Sequence, residues 1–350
     1  MDTSSIESSE GKNNTQTFPL PSSNSSWKLE HLLSLNITPV FSSSTTANHF
    51  VGMLIKKNTP EAIQRNARLD LRVNQMAQDI RKTLAFRFLN SSLEDIVEFK
   101  STSDIVSILK MTSAWQLNLD MLDEEFSMFQ SRFELAGIEF TEMLLECINQ
   151  RNRISEYMYQ HLFINFLQLF DIRCQFAPTI PLKDMKIRKR KSSGMPDIIA
   201  KIWRNNEESN KCDWKTLFVG KVQNNYLRNK EEENKKSRQS TLNPADSGIS
   251  DSVLGQHGAD LLTYLNTSVI KDTIIGFIVE HTHVTFTRLT VTEEQQTGMV
   301  EDKVQFDREH GPEILFTRPY DYMMKEDRNC LIEPLLKIGL LQNESNSFFN

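Results

Sequence analysis

Two residues in the middle of the chain have the types and the spacing for chemistry at a phosphate. Asp197 follows a proline and opens the apolar run Ile198–Trp203, and Lys221 lies inside a second apolar run, Leu217–Gln223. Both runs are rich in β-branched and aromatic residues and are bounded by polar residues, so they predict two neighbouring strands. An acid at the start of one strand and a lysine inside the next form the framework of a metal-dependent nuclease site.

The alternation of side chains along a strand determines which neighbours could join Lys221. Residues two apart on a strand share a face. The side chains predicted to point the same way are Leu217, Val219, Lys221 and Gln223. Val219, two residues before the lysine, offers no oxygen to a metal ion. Because Mg²⁺ prefers carboxylates and waters in a near-octahedral arrangement, the single carboxylate of Asp197 makes a poor site.

The order of elements predicted around these residues is a helix, the two strands, a second helix and two further strands. Over about Ile154 to Leu289 this order resembles the PD-(D/E)xK, or restriction-endonuclease-like, nuclease superfamily. The later part contains the predicted helix Gln256–Leu265 and is similar to a module found in Crinkler-type effectors and beside fungal-type protein kinases. The tail Arg318–Asp321, followed by a final helix, agrees with the same module.

The resemblance implies a role for each matching residue. In active members an Asp on the first strand and an acid two residues before the lysine hold Mg²⁺ or Mn²⁺, while the lysine positions or activates the nucleophile. Asp197 matches the first acid and Lys221 matches the lysine, whereas Val219 stands where the second acid belongs. Because acids migrate in this superfamily, Glu156 in the preceding helix is a substitute metal ligand, and Gln223 could add a neutral oxygen.

These residues also have ordinary structural explanations. Asp197 could cap the start of a strand after a proline, and Lys221 could be an edge-strand lysine that prevents aggregation. A glutamate such as Glu156 commonly faces solvent on a helix. With Val219 in place we expect a degenerate, inactive metal site. If the site is active, the expected reaction is phosphodiester hydrolysis with Mg²⁺ or Mn²⁺ as the cofactor, held by Asp197 and Glu156.

A run of basic residues lies in the connector between Pro178 and Gly194. Its members are Lys186, Arg188, Lys189, Arg190 and Lys191. Such runs can be nuclear-import signals or nucleic-acid patches, and they can equally be solvated loops. The position just before Asp197 favours a role near the candidate site, which makes DNA or RNA a predicted partner.

Composition narrows the class of protein. The 350 residues carry a formal net charge of -6, which argues against coating nucleic acid or an acidic membrane with the whole surface, but not against a local basic site. The four cysteines have no metal-ligand spacing and suit a reducing compartment. Neither a signal peptide nor an apolar run of membrane-spanning length is recognisable. We therefore expect an intracellular protein, with the nucleus included, and no membrane partner.

Three regions are predicted along the chain. Residues 1–48 are dominated by Ser, Thr and Asn and are expected to be a disordered tail. Residues 49–150 carry helical periodicity, and residues 151–342 form the nuclease-like domain, with a polar insertion at about 224–252. The predicted fold class is α/β: a restriction-endonuclease-like mixed sheet flanked by helices and preceded by a mostly helical region. The helix over 154–170 is apolar nearly all round, which predicts a place between the helical region and the sheet.

Two functions from different classes follow from these patterns. The first is a nucleic-acid-associated or effector-like module with a degenerate nuclease site. The alternative is a protein-interaction scaffold without catalytic activity, in which the helical region docks a protein partner. Resemblance of fold does not choose between them, because function depends on the site.

Overall fold

Helices and one mixed sheet make up the part of the chain described by the computed structural model, which covers residues 19–54, 60–98, 102–117, 124–150, 153–206, 211–224, 248–303 and 311–343. The helices are α1 (Leu29–Ser34), α2 (Ala47–Gly52), α3 (Pro60–Lys82), α4 (Leu84–Phe88), α5 (Leu93–Glu98), α6 (Thr102–Leu109), α7 (Glu124–Gln150), α8 (Glu156–Gln168), α9 (Asp251–Leu265), α10 (Glu293–Glu301) and α11 (Lys325–Asn343). The strands are β1 (Thr38–Phe41), β2 (Cys174–Phe176), β3 (Lys183–Ile187), β4 (Arg190–Gly194), β5 (Ile198–Asn206), β6 (Lys211–Gln223), β7 (Thr273–Glu280), β8 (His283–Thr290), β9 (Glu313–Phe316) and β10 (Tyr320–Asp321). The fold is therefore mixed α/β, as predicted.

The main sheet has eight strands within the described chain. Their order is β1-β9-β8-β7-β6-β5-β2, and β10 pairs with β8. The two central strands predicted from the sequence are β5 and β6, which are antiparallel neighbours. The two further strands predicted after the second helix are β7 and β8, which pair in antiparallel fashion as a hairpin. β6 and β7 are parallel, so a crossover must join them, and α9 lies on that connection.

A bulge in β6 changes which side chains share a face. Ala200 pairs with Phe218, but the register then shifts and Leu217 is left without an opposite residue. Leu217 consequently packs in the same hydrophobic cluster as Phe218, while Val219 belongs to the cluster on the other side. The expectation that Leu217 and Val219 point the same way is wrong, because an extra residue in a strand breaks the alternation of side chains.

The helical region and the sheet share one hydrophobic core. α8 packs between α7 and the strands β6 and β7, as predicted. The ring centroids of Phe140 in α7 and Phe166 in α8 lie 6.2 Å apart. The ring centroids of Phe166 and Tyr322, the residue after β10, lie 4.6 Å apart. These residues belong to a single cluster that continues into the strands. The opposite face of the sheet is covered by α9, α1 and the β3–β4 hairpin.

Residues 19–48 are packed into the fold, which corrects the expectation of a disordered tail for this part. Trp27 and Leu32 are fully buried, and the indole nitrogen of Trp27 donates a hydrogen bond to Ser192 Oγ at 3.2 Å. β1 extends the sheet by pairing in parallel with β9. A few large apolar residues at the contact points offset the entropy of ordering a mostly polar segment. The rest of the predicted tail, residues 1–18, lies outside the described residues.

The connector with the basic run is a β-hairpin. β3 and β4 pair in antiparallel fashion, and Arg188 and Lys189 at the turn have φ angles of 48° and 59°.

Most of the predicted polar insertion, residues 225–247, lies outside the described residues. Its last two residues, 251 and 252, already belong to α9. Among the described helices, none combines the length and the apolar character needed to cross a bilayer.

Candidate functional site

Asp197 and Lys221 meet at one end of the sheet. The ammonium nitrogen of Lys221 lies 3.2 Å from Asp197 Oδ1 and 2.9 Å from Oδ2. The backbone N–H of Val222 donates a further hydrogen bond to Oδ2 at 2.7 Å. The side chains of the lysine and the aspartate are 17% and 18% exposed. The structure thus brings the two predicted residues together as a largely buried ion pair.

Neighbouring elements hold the backbone of Asp197 in place at the start of β5. The Nε2 amide of Gln160 in α8 donates to the Asp197 carbonyl at 2.5 Å, and the N–H of Ala177 donates to the same carbonyl at 2.9 Å. Because β5 is antiparallel to β6, the start of β5 lies beside the end of β6. This pairing brings residues that are distant in sequence within reach of each other.

Gln223 and Glu280 end the two parallel strands β6 and β7 and lie opposite each other. The Gln223 amide nitrogen donates to Glu280 Oε1. The side-chain oxygen of Gln223, Oε1, is buried and has no hydrogen-bond partner among the described residues. Sequence reasoning included Gln223 but missed Glu280, whose only signal was its place after the apolar run Ile274–Val279.

Glu156 is the first residue of α8. Its carboxyl group interacts electrostatically with both Lys221 and Asp197. Burial raises the pKa of its carboxyl group, the charge of Lys221 lowers it and that of Asp197 raises it, with a net upward shift. Among the described residues, Glu156 forms no direct ion pair with Lys221. Glu156 therefore interacts with the pair electrostatically, without replacing Asp197 as the partner of the lysine.

Lys221 is a protonated ammonium in this setting. Burial works to lower its pKa, but Asp197, Asp260 and Glu156 raise it, and the net effect is a pKa above the ordinary value. A lysine with a raised pKa holds its proton at neutral pH and does not act as a general base. What Lys221 can offer to a ligand is positive charge.

Two buried polar residues of α9, His257 and Asp260, interact electrostatically with Lys221, and sequence reasoning missed both. Burial and the charge of Lys221 lower the pKa of His257 to about 3, so this imidazole is neutral. Its Nε2 lies 2.7 Å from Thr287 Oγ1. Gly276 makes room for the ring, since a Cβ there would lie 2.7 Å from the imidazole Cε1. The helical spacing of the two residues was the available signal, because positions three apart share a face.

Asp260 links the site to the N-terminal segment. Burial raises the pKa of its carboxyl group to about 7, against the lowering effects of a hydrogen bond from Asn24 and of the charge of Lys221. The Asn24 amide donates to Asp260 Oδ1 and to Thr263 Oγ1, each at 3.0 Å. This buried network places residues 19–28 against the α9 side of the candidate site.

The residues present do not fit the Mg²⁺ or Mn²⁺ ion of an active nuclease. Both carboxylate oxygens of Asp197 already accept hydrogen bonds. Val219 is fully buried in an apolar cluster, so the position of the second acid supplies no ligand. Among the described residues, no group of three or more His, Cys, Asp or Glu side chains is arranged to hold a metal ion. With Asp197 paired and the nearby carboxylates not grouped around one position, the described residues are a weak donor set for such a cation.

The basic run lies on the β3–β4 hairpin, and its contacts lead away from the ion pair. Arg188 Nε lies 3.2 Å from Asp302 Oδ1, and the Arg188 N–H donates to the Met299 carbonyl. Lys191 pairs with Asp184 at 2.7 Å. Lys186, Lys189 and Arg190 are exposed. Within the described chain, none of the five side chains forms a hydrogen bond or ion pair with Asp197 or Lys221.

No protein-family model, curated protein or solved structure matches this chain significantly. Function has therefore to be inferred from the side chains themselves. The described site combines one cationic lysine with the carboxylate that neutralises it.

Proposed function

We propose that this protein is a PD-(D/E)xK nuclease-like module that binds nucleic acid without cleaving it. The observation that carries the proposal is the ion pair between Lys221 and Asp197 at the end of β5 and β6. In the superfamily that the sequence resembles, these two positions belong to the cleavage site. Here the lysine neutralises the carboxylate that would otherwise bind a metal ion.

The charges around the ion pair support the proposal that the module does not hydrolyse nucleic acid. A metal-dependent nuclease lowers the pKa of a bound water and stabilises charge on the phosphate. With Val219 buried and apolar and Asp197 paired, the second carboxylate needed for such a metal has no equivalent at its usual position. We therefore propose that phosphate contacts contribute affinity and no chemical step.

The hairpin β3–β4 is the element proposed to contact phosphates. Lys186, Lys189 and Arg190 are exposed, and Lys191 is held by a salt bridge with Asp184 that is itself solvent-exposed. Exposed cations displace the counterions that surround a nucleic acid, so binding through them weakens as salt concentration rises. A local patch of this kind is compatible with the net charge of -6.

A combined binding and cleavage assay tests the proposal. Labelled DNA and RNA oligonucleotides are titrated with the full chain at increasing salt, with and without Mg²⁺ or Mn²⁺. We expect binding that weakens steeply with salt and no metal-dependent cleavage. The variant Lys186→Ala/Arg190→Ala should bind more weakly, whereas Lys271→Ala, an exposed lysine elsewhere, should bind like the unmodified chain.

Each alternative outcome of this assay has a clear meaning. Failure to bind any oligonucleotide at low salt would overturn nucleic-acid association. Cleavage that disappears in both Asp197→Ala and Lys221→Ala would show an intact nuclease and would overturn the degenerate site. Cleavage that survives both substitutions would place any activity elsewhere in the chain.

The scaffold without catalytic activity remains the second candidate, supported by one feature of the helical region. Met128 and Leu135 are exposed on α7 and lie seven residues apart, so they share one face of the helix. A folded protein that binds neither DNA nor RNA would favour this candidate. Met128→Ser/Leu135→Ser would then be the variant with which to test binding of a protein partner.

A further inference from the structure

Two tryptophans are exposed together on neighbouring strands. Trp203 in β5 and Trp214 in β6 are cross-strand partners. Their ring centroids lie 4.8 Å apart with the planes at 70°, and the residues are 42% and 58% exposed. Large aromatic groups left in contact with water are a common mark of a binding surface.

A cleft of about 310 Å³ lies beside the tryptophan pair at the edge of the sheet. Its described lining includes Arg173, Lys201 and Gln175 and contains no acidic side chain. The cleft thus combines aromatic surface with positive charge and neutral amides. Such a combination suits a ligand that has both flat rings and negative groups.

A third cation lies close to the lysine of the cleft. The ammonium of Lys183 lies 2.8 Å from Thr267 Oγ1 and 4.7 Å from the centre of the Tyr264 ring. Burial and the charges of Lys201 and Lys215 together lower its pKa to about 8. Burial is the larger cause, and the two lysine charges add to it, so an anionic ligand at the cleft would meet several neighbouring cations.

A peptide strand could not pair with β5 beside the cleft at the first residue beyond β2, because the backbone carbonyl there already accepts a hydrogen bond. β2 pairs with β5 only as far as Ala200. The carbonyl of the next residue, Lys201, accepts a hydrogen bond from the Gln342 amide at 2.9 Å. A peptide that extended the sheet would need that carbonyl, so the geometry favours a ligand bound through rings and charge.

We propose that the Trp203–Trp214 cleft binds an unpaired base of single-stranded nucleic acid, with adjoining phosphates on Lys201 and Arg173. The inference rests on the proposed function and narrows it to single strands. Only an unpaired, unstacked base exposes its face to an aromatic side chain, and sequence-tolerant binding of single strands combines such stacking with a basic groove. The patch is distinct from the Lys221–Asp197 pair and from the basic run Lys186–Lys191, although Lys183 begins the first strand of the same hairpin.

Fluorescence anisotropy with a labelled oligothymidine and a duplex of equal length tests this site. Trp214→Ala and Trp203→Ala should each weaken single-strand binding about tenfold, as expected for the loss of one stacked base, and should change duplex binding little. Leu71→Ala is the control, because Leu71 is a large apolar residue of α3 that is also exposed, at 71%. Quenching of tryptophan fluorescence by the oligonucleotide should be reduced in Trp214→Ala, and circular dichroism should verify that each variant is folded.

The possible failures can be told apart. If both folded tryptophan variants bind single strands normally while Lys186→Ala/Arg190→Ala binds weakly, the inference is wrong and the proposed function stands. If the unmodified chain binds no nucleic acid, the proposed function fails and the inference fails with it. A tryptophan fluorescence change with an extended peptide, in the absence of any change with oligothymidine, would overturn the assignment in favour of a peptide ligand.

Discussion

The ammonium of Lys221 lies 2.9 Å from Asp197 Oδ2, although 24 positions separate the two residues in sequence. The pair occupies the end of the sheet where β5 begins and β6 ends. With the lysine as its partner, the carboxylate is satisfied without a metal ion. Burial disfavours the charged form of Lys221, and attraction to Asp197 favours it.

Asp197→Ala should lower the free energy of unfolding by roughly 2–4 kcal/mol, because it leaves a largely buried ammonium and the Val222 N–H without their acceptor. Asp197→Ala/Lys221→Met should cost less than the two single substitutions added together, since it removes both charges. Urea denaturation measures all three variants. As a control, Asp184→Ala breaks an exposed pair with Lys191 and should change stability little. Strictly additive costs would contradict a coupled pair.

Val219→Glu should destabilise the protein without creating a nuclease. Val219 is fully buried among apolar side chains of β5, β7 and α9, so a carboxylate there would lose its hydration. The expected loss of unfolding free energy is about 3 kcal/mol or more. Val219→Thr, which adds a hydroxyl at nearly constant volume, should cost less. A stable Val219→Glu variant with Mg²⁺-dependent cleavage would contradict the account of this position.

His281 and Glu94 should make stability depend on pH. His281 Nδ1 lies 3.2 Å from Glu94 Oε1, and Nε2 lies 3.2 Å from the carbonyl of Asn224. The imidazole also stacks on Tyr159, with ring centroids 4.6 Å apart. Burial works to lower the pKa of His281, but these acceptors raise it above its ordinary value of 6.5. The hydrogen bond from His281 holds the pKa of Glu94 below its ordinary value of 4.5.

The direction of each shift defines the pH range. A histidine with a raised pKa stabilises the fold below its unfolded pKa, and this contribution is lost as pH rises through the folded value. A glutamate with a lowered pKa stabilises above its unfolded pKa, and this contribution is lost as pH falls through the folded value. The pair should therefore stabilise most between pH 4.5 and 6.5. His283 also interacts electrostatically with Glu94. Asp321 interacts with both Glu94 and His283.

His281→Asn provides the measurement, because asparagine tolerates the φ angle of 54° at this position. The difference in unfolding free energy between the unmodified chain and this variant should be largest between pH 4.5 and 6.5 and should decrease at higher pH. His49→Asn, at an exposed histidine of α2, is the control. A difference that stays constant across this range would show that the pair does not titrate as described.

Arg328 should be essential for joining the helical region to the sheet. Its guanidinium is buried and donates hydrogen bonds to the carbonyls of Tyr322 and Met323 and, in the helical region, of Phe86 and Leu89. Arg328→Met should lower the free energy of unfolding by roughly 3–5 kcal/mol, because several buried carbonyls lose their donor.

Arg328→Lys should not restore this stability, since one ammonium cannot replace the fork of donors that a guanidinium presents. Arg87→Met, at an exposed arginine of α4, serves as the control. Denaturation monitored by circular dichroism gives the comparison. Stability near that of the unmodified chain in Arg328→Met would mean that the two regions are held together by their apolar contacts alone.

Local patterns in the sequence were sufficient to predict the strands β5, β6, β7 and β8 and the position of α8. Apolar alternation and helical periodicity depend on neighbouring residues, so a strand or helix with a strong pattern is visible without the rest of the fold. The same patterns identified Asp197 and Lys221 as residues on adjacent strands. They could not show that these two side chains pair with each other.

The tertiary structure decided the features that depend on distant contacts. The bulge at Leu217, the position of Glu280 beside Gln223 and the burial of His257 and Asp260 each result from pairing or packing between separate segments. Residues 19–48 read as a tail because their composition is polar, yet Trp27 and Leu32 find partners far along the chain. Burial and electrostatic environment are properties of the assembled fold, because they are set by residues that only folding brings together.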